Sequence, residues 1–316
     1  MKTTIDWLKF RTLSDPFSIL SAIRPAFGTA AELLELEDGG RGKDGWEFRK
    51  LLKLGGDILI ASIDYGGDSQ RGWARFDMSG KGCEWVQDWA AMASIHGLLD
   101  SPEIRRCDIA LTFFDGSVTH ERVLESHAKG LFSSGGRQPK MKKVEGSDPK
   151  DGRTIYVGAR DSEKFIRCYE KGFEILARYK IPENLKAGIT GMTFDGVGMV
   201  DPAKVYRCEV EFKASSEKVL PWPMLTNRDE FFAGANPFFA SLLPGAKVRK
   251  IQTMPDFGPK VALQVAAENL RVSYGGVLKA LMESYNNDAD LVMKMLTADA
   301  PSERLIKDGV LTVVHH

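Results

Sequence analysis

The stretch Thr154-Ile-Tyr156-Val-Gly158-Ala-Arg160-Asp-Ser162-Glu-Lys164-Phe-Ile-Arg167-Cys-Tyr169-Glu-Lys171-Gly-Phe-Glu174 decides how the chain is read. It predicts two short strands joined by a polar turn. In the second strand Phe165, Arg167, Tyr169 and Lys171 alternate with Ile166, Cys168 and Glu170, so one face is polar and aromatic and the other is largely apolar. A tyrosine with Arg167 and Lys171 on its own face has cations beside its hydroxyl. Cations favour phenolate, and phenolate is a nucleophile. The plainest meaning of Arg-x-Tyr-x-Lys on a strand is a solvated sheet face. The sharper one is a device that holds and attacks a phosphodiester.

The wider chain bounds the choice. Its 316 residues suffice for one large domain or two modest ones, and 43% hydrophobic with 27% charged residues supports a proper core. Lys+Arg and Asp+Glu balance at 43 each, so no global basic field marks a nucleic-acid binder. The balance is uneven along the chain. Between Arg137 and Lys180 twelve basic residues face seven acidic ones, so the basic excess coincides with the tyrosine stretch.

Cys83, Cys107, Cys168 and Cys208 fit neither a zinc pattern nor a small disulfide framework. Three of them immediately precede Asp108, Tyr169 and Glu209. On strands this sends each thiol to the face opposite its polar neighbour, as a small core residue in a reducing cytoplasm. The first residues carry no signal-peptide pattern and no run is long enough for a membrane span, so no membrane partner is expected.

Strands are predicted over Thr4–Arg11, Gly45–Leu54, 57–66 and Arg71–Met78. Helices are predicted over Pro16–Ile23, with Asp15 as cap, over Glu84–Leu99, on the stripe Trp85, Trp89, Met92, Ala93 and His96, and over His120–Leu131. Residues 133–152, rich in Gly, Ser, Pro and Lys, read as a flexible basic loop. Helical spacing returns at Arg228–Leu243, Lys260–Asn269, Val272–Tyr285, Asp288–Leu296 and Pro301–Leu305. The expected class is α+β: an antiparallel or mixed sheet with helices mainly on one face. The expected domains are a catalytic one over 1–215 and a helical region over 216–316.

The run from Tyr156 to Glu174 resembles the motif of the Rep_trans, or replication initiation factor, family. Its members start rolling-circle replication of small plasmids and filamentous phages. The pattern Tyr-x-Gly-x-Arg-x-Ser followed by Arg-x-Tyr-x-Lys and Glu is filled at every fixed position. Arg106-Cys-Asp108-Ile-Ala110-Leu-Thr112 resembles the family's Arg-x-Asp-x-Ala-x-Asp strand. Arg207-Cys-Glu209-Val-Glu211 resembles its Arg-x-Glu-x-Glu strand. A weaker likeness covers Arg75–Cys83, with its Ser-Gly-x-Gly-Cys ending.

The resemblance implies a sequence-specific origin nickase and ligase with Tyr169 as nucleophile. It implies a 5′-phosphotyrosyl intermediate, with Arg167 and Lys171 neutralising the transition state. Mg²⁺ or Mn²⁺ would be held by Asp108 and by Glu209, Glu211 or both. Arg160 or Lys164 would hold a neighbouring phosphate, and Arg137, Lys142 and Lys143 would clamp DNA. The partner is origin DNA in a bacterial host's cytoplasm, with room for a host helicase and polymerase and for a homodimer. One position departs: Thr112 stands where the family has a second Asp, so activity weakened at the metal, or a DNA-binding regulator or loader on the same fold, is the alternative. No His-hydrophobic-His triplet, ATP-binding loop or Gly-x-Ser-x-Gly elbow supports a rival chemistry.

Overall fold

In the computed structural model the described residues are 2–146, 151–178, 191–194, 197–215, 220–251 and 259–297. Twelve strands run through them. They are β1 (Thr4–Thr12), β2 (Leu34–Arg41), β3 (Phe48–Leu54), β4 (Ile58–Tyr65), β5 (Ala74–Ser79), β6 (Glu103–Phe113), β7 (Met141–Glu145), β8 (Arg153–Val157), β9 (Lys164–Tyr169), β10 (Met192–Phe194), β11 (Gly198–Val200) and β12 (Tyr206–Lys213). Strands β10 and β11 form a small hairpin of their own. The rest make a ten-stranded sheet in the order β2-β3-β4-β5-β1-β6-β12-β9-β8-β7, with every pair antiparallel.

The sheet has one apolar and one polar face because its central strands alternate. In β12, Cys208 and Val210 point to the core while Arg207, Glu209 and Glu211 do not. Phe10 and Phe76 stack on the apolar face, with centroids 4.7 Å apart. The helices α1 (Pro16–Ile23), α2 (Gly80–Cys83), α3 (Trp89–Ser94), α4 (His120–Ala128), α5 (Lys171–Arg178), α6 (Arg228–Ala233) and α7 (Pro237–Leu242) punctuate the strands. Ile19 and Ile23 of α1, Met92 of α3, Val123 of α4, Phe231 and Phe232 of α6 and Phe238 and Phe239 of α7 share a core with the sheet's apolar side chains. The fold is α+β, with a large antiparallel sheet.

Local chemistry sets several boundaries. Asp15 caps α1 by accepting from the N–H groups of Phe17 and Ser18, and Pro16 opens the helix as expected. The helix expected over Glu84–Leu99 is cut to α3. Asp88 caps at that point, accepting from Ala90 and Ala91, and the N–H groups of Gln87 and Asp88 leave the helix to donate to Ala26 O. The helix expected over Arg228–Leu243 is two. Asn236 accepts from Phe239 N and starts α7 afresh, which lets Phe232 and Phe239 stack at 4.3 Å. The basic loop at 133–152 contains an edge strand, β7, paired with β8.

The chain forms two compact units, Met1–Gln252 and Thr253–His316. Residues 220–251, grouped by sequence with the C-terminal helices, thus belong to the sheet unit. In the second unit the two stretches expected over Lys260–Asn269 and Val272–Tyr285 are one helix, α8 (Pro259–Ser284). It is followed by α9 (Ala289–Leu296), capped by Asp288 through Leu291 N. The turn expected at Pro301–Leu305 lies outside the described residues. No described helix is long and apolar enough to cross a membrane.

Candidate active site on the polar face of the sheet

Directly opposed residues in antiparallel strands share a face. Three rows follow from the register. One runs Val144, Thr154, Tyr169, Arg207, Thr112 across β7, β8, β9, β12 and β6. The next runs Lys142, Tyr156, Arg167, Glu209, Ala110. The third joins Phe165, Glu211, Asp108, Trp7 and Ser79 across β9, β12, β6, β1 and β5. Tyr169, Arg167, Asp108, Glu209 and Glu211 therefore stand on one face. Behind them Cys107, Cys168 and Cys208 are wholly buried and free.

The carboxylates are buried and held by cations. Asp108 is 0% exposed and receives both arms of Arg106, at 2.8 and 2.6 Å. The same guanidinium reaches Glu211 at 3.1 Å and lies over the Trp7 ring at 4.4 Å. Glu211 also pairs with Lys213 at 2.8 Å. Arg167 donates to Glu209 and stands 3.5 Å from Asp108. Burial pushes the Asp108 and Glu209 carboxyls upward, against the pull of Arg106 and Arg167 respectively.

Glu209 Oε2 and Arg167 Nε are buried without a hydrogen-bond partner among the described residues. Such atoms are costly and mark a place where a ligand atom can be received. The donors are hard oxygens, as Mg²⁺ or Mn²⁺ requires. Their placement does not enclose an ion, however. Among the described residues no three carboxylate, His or Cys side chains are disposed as a metal cage. Arg106 and Lys213 already occupy Asp108 and Glu211, so an ion would first have to displace Arg106.

Tyr169 is surrounded differently from the sequence expectation. Lys171 does not continue the strand. β9 ends at Tyr169, and Lys171 opens α5, pairing with Glu174 at 2.6 Å while its Nζ stands 5.6 Å from the Tyr169 ring centroid. The cation directly across from Tyr169 is Arg207. Arg207 is tied to Thr112 Oγ1 at 2.9 Å and to Asp6 at 3.1 Å, and its charge acts on the Tyr169 phenol. Burial raises the Tyr169 phenol well above its ordinary range. Arg207 works against that, while Glu209, Asp6 and Glu174 add to it. The sequence showed Arg207 inside a motif, but only the register reveals which tyrosine it faces.

The turn into α5 needs a residue without a side chain. A Cβ on Gly172 would come within 2.0 Å of Pro202 O, and Gly172 N donates to Val205 O at 3.2 Å. That contact ties the start of α5, one residue beyond Glu170, to the entrance of β12. Gly172→Ala is expected to cost about 1–3 kcal/mol through overpacking against backbone. A thermal melt lowered by several degrees is the expected readout.

The five residues expected on DNA separate. Lys142 is exposed on the Tyr169 face, whereas Lys143, opposite Ile155, points to the other side. Arg137 and Arg160 are exposed, and Arg160 O accepts from Lys213 Nζ. Lys164 Nζ donates to Ser134 Oγ and Ala235 O, so it anchors loops.

Thr112 sits in the Tyr169 row, about 13 Å along β6 from Asp108. A carboxylate there meets Arg207 before any ion. Thr112→Asp is accordingly expected to leave the protein's affinity for Mg²⁺ unchanged, because the new carboxylate pairs with Arg207. A Mg²⁺ titration of both proteins checks it.

A protein-family model agrees with the motifs. No curated protein matches the chain. Among solved structures, a rolling circle replication initiator protein from Geobacillus stearothermophilus is similar. Identity is 18% and the TM-score 0.49, with 81% of this chain and 89% of that chain covered. Residues 102–251 match the model of the replication initiation factor family, and this segment carries β6, β9 and β12 with every acidic and tyrosyl residue the motifs singled out. Over that segment the chain has the replication initiation factor pattern, the family that its tyrosine motif resembles.

Proposed function

We propose that the protein initiates rolling-circle DNA replication by nicking an origin and later rejoining it. The observation that carries this is the placement of Tyr169 on a polar sheet face, opposite Arg207 and beside the Arg167–Glu209 pair. The Tyr169 hydroxyl attacks phosphorus, the P–O3′ bond breaks, and a 5′-phosphotyrosyl link forms while a 3′-hydroxyl is freed for a host polymerase, with a host helicase opening the duplex ahead of it. The phenol proton needs an acceptor, and Glu209 Oε2 is a buried carboxylate oxygen of this face without a hydrogen-bond partner among the described residues. The leaving 3′-oxygen takes its proton from solvent. Arg167 and Arg207 offset the charge gathering on the pentacoordinate phosphorus. The covalent link conserves the bond, so rejoining needs no ATP.

No step here runs through a metal ion. A Mg²⁺ or Mn²⁺ ion that displaced Arg106 from Asp108 would polarise the scissile phosphate. A second reading, a DNA-binding regulator or loader, is favoured by one observation: the carboxylates are already neutralised by arginines and Thr112 adds none. Incubation with a supercoiled plasmid bearing the replicon's own origin separates the two. Relaxed or nicked product with protein bound to a 5′ end supports nicking. Retarded but intact plasmid supports the regulator and overturns the enzyme.

A further inference from the structure

Tyr156 has surroundings that the nicking step does not use. In its row it stands between Lys142 on β7 and Arg167 on β9. Its ring stacks on Phe165, with centroids 5.6 Å apart and planes 13° from parallel. Phe165 is 7% exposed, so it is a fixed backing, and Tyr156 itself is only half-buried. Lys142 on β7 and Lys140, one residue before that strand begins, are both exposed. Lys140 precedes Lys142 by two and has its carbonyl bonded to Gly158 N, so both lysines belong to the tyrosine face. Neither forms an ion pair among the described residues, unlike Arg106, Arg153 and Lys213. Thr154 is the residue opposite Tyr169, so Tyr156 is its diagonal neighbour, about 7–8 Å away.

An aromatic ring backed by another ring, flanked by uncommitted cations and one nucleotide step from a nucleophile, has one fitting occupant. We propose that Tyr156, Lys142 and Lys140 form a subsite for single-stranded DNA, in which an unpaired base next to the scissile phosphate stacks on Tyr156 and its backbone passes over the β7 edge on the two lysines. The inference rests on the nicking reading for the identity of the strand. Its chemistry is that of a stacking platform beside a phosphate track, which tolerates any base and rejects paired ones.

The test uses the full chain and a fluorescein-labelled short oligothymidylate, read by anisotropy. Tyr156→Phe keeps the ring and is expected to bind within about twofold of wild type. Tyr156→Leu is expected to bind about tenfold more weakly. Lys142→Ala, on the exposed edge, is expected to weaken binding and to lower the slope of log affinity against log salt by about 0.7. A thermal melt of each variant shows that the fold is kept. Tyr156→Leu binding as tightly as Tyr156→Phe, or a duplex of the same length binding wild type equally well, overturns the subsite. If wild type still nicks origin plasmid in that event, only the subsite falls. If wild type neither binds the oligonucleotide nor nicks, the nicking reading falls with it.

Discussion

Tyr169→Phe is expected to abolish origin nicking, by at least about a thousandfold, while leaving DNA binding close to wild type. The substitution removes one oxygen. The ring remains, wedged between Thr154 and Arg207 in the register and with the Lys171 ammonium 5.6 Å from its centroid. Covalent protein on the 5′ end of the product is expected to vanish along with the nick. Tyr156→Phe serves as the comparison, because it also loses a hydroxyl from the same face but keeps the proposed stacking surface. Equal loss of nicking in both variants would mean that the nucleophile has been wrongly chosen, or that both hydroxyls take part.

Arg207→Gln is expected to be the next most damaging change, lowering the nicking rate by about 10²–10³-fold, as when a preorganised charge donor is lost. Arg207 is the nearest opposing cation that holds down the Tyr169 phenol, which burial has already pushed up. Without it the phenol pKa rises further, because Glu209 and Asp6 then act on the tyrosine uncompensated. The sign of the pH effect follows. Glu209, the proposed proton acceptor, loses the same neighbouring cation, and its carboxyl, already raised to about 7 chiefly by burial, moves further up, so the variant's residual rate should climb with pH over a range in which the wild-type rate has begun to level. A variant whose rate falls uniformly at every pH would assign Arg207 to phosphate binding alone. Glutamine preserves most of the volume and a hydrogen bond to Thr112. A fall in rate without a fall in melting temperature is therefore the cleaner result.

Much of this site could be read before any coordinates, and the reason is period two. On β9 and β12 the alternation of Arg167, Tyr169 and Arg207, Glu209, Glu211 against Ile166, Cys168, Cys208 and Val210 sorts the polar from the core side chains without further information. The cysteines told the same story from behind. What stayed hidden depends on pairing between distant segments. Arg207 faces Tyr169, and Lys142 faces Tyr156, only because β12 lies beside β9 and β7 beside β8. Lys171 was misplaced because alternation was carried two residues beyond the end of β9, into the turn where Gly172 packs against Pro202 and the chain becomes helical. β7 was concealed by its setting: Met141–Glu145 is five residues among Gly, Ser, Pro and Lys, which outweigh it in any local reading. At Glu84–Leu99 the spacing was right for a helix, but capping by Asp88 decides where it begins. The paired state of Asp108 and Glu211 had no sequence signal beyond the adjacent Arg106 and Lys213, which a motif reading assigns to nobody.

The position of β12 in the sheet has a consequence for how the molecule is made. It is the last strand in the chain to join the large sheet, yet it lies between β6 and β9, both synthesised earlier. Until residues 206–213 leave the ribosome, those two strands have no partner on that side and each presents an unpaired edge. β1, the first strand out, must likewise wait for β5 and β6. The strand of Tyr169 and the strand of Arg207, Glu209 and Glu211 are thus brought together only in the closing act of sheet assembly. A nascent chain stopped short of β12 has neither the Tyr169–Arg207 pairing nor a protected edge, and its surroundings must keep it from pairing with another chain.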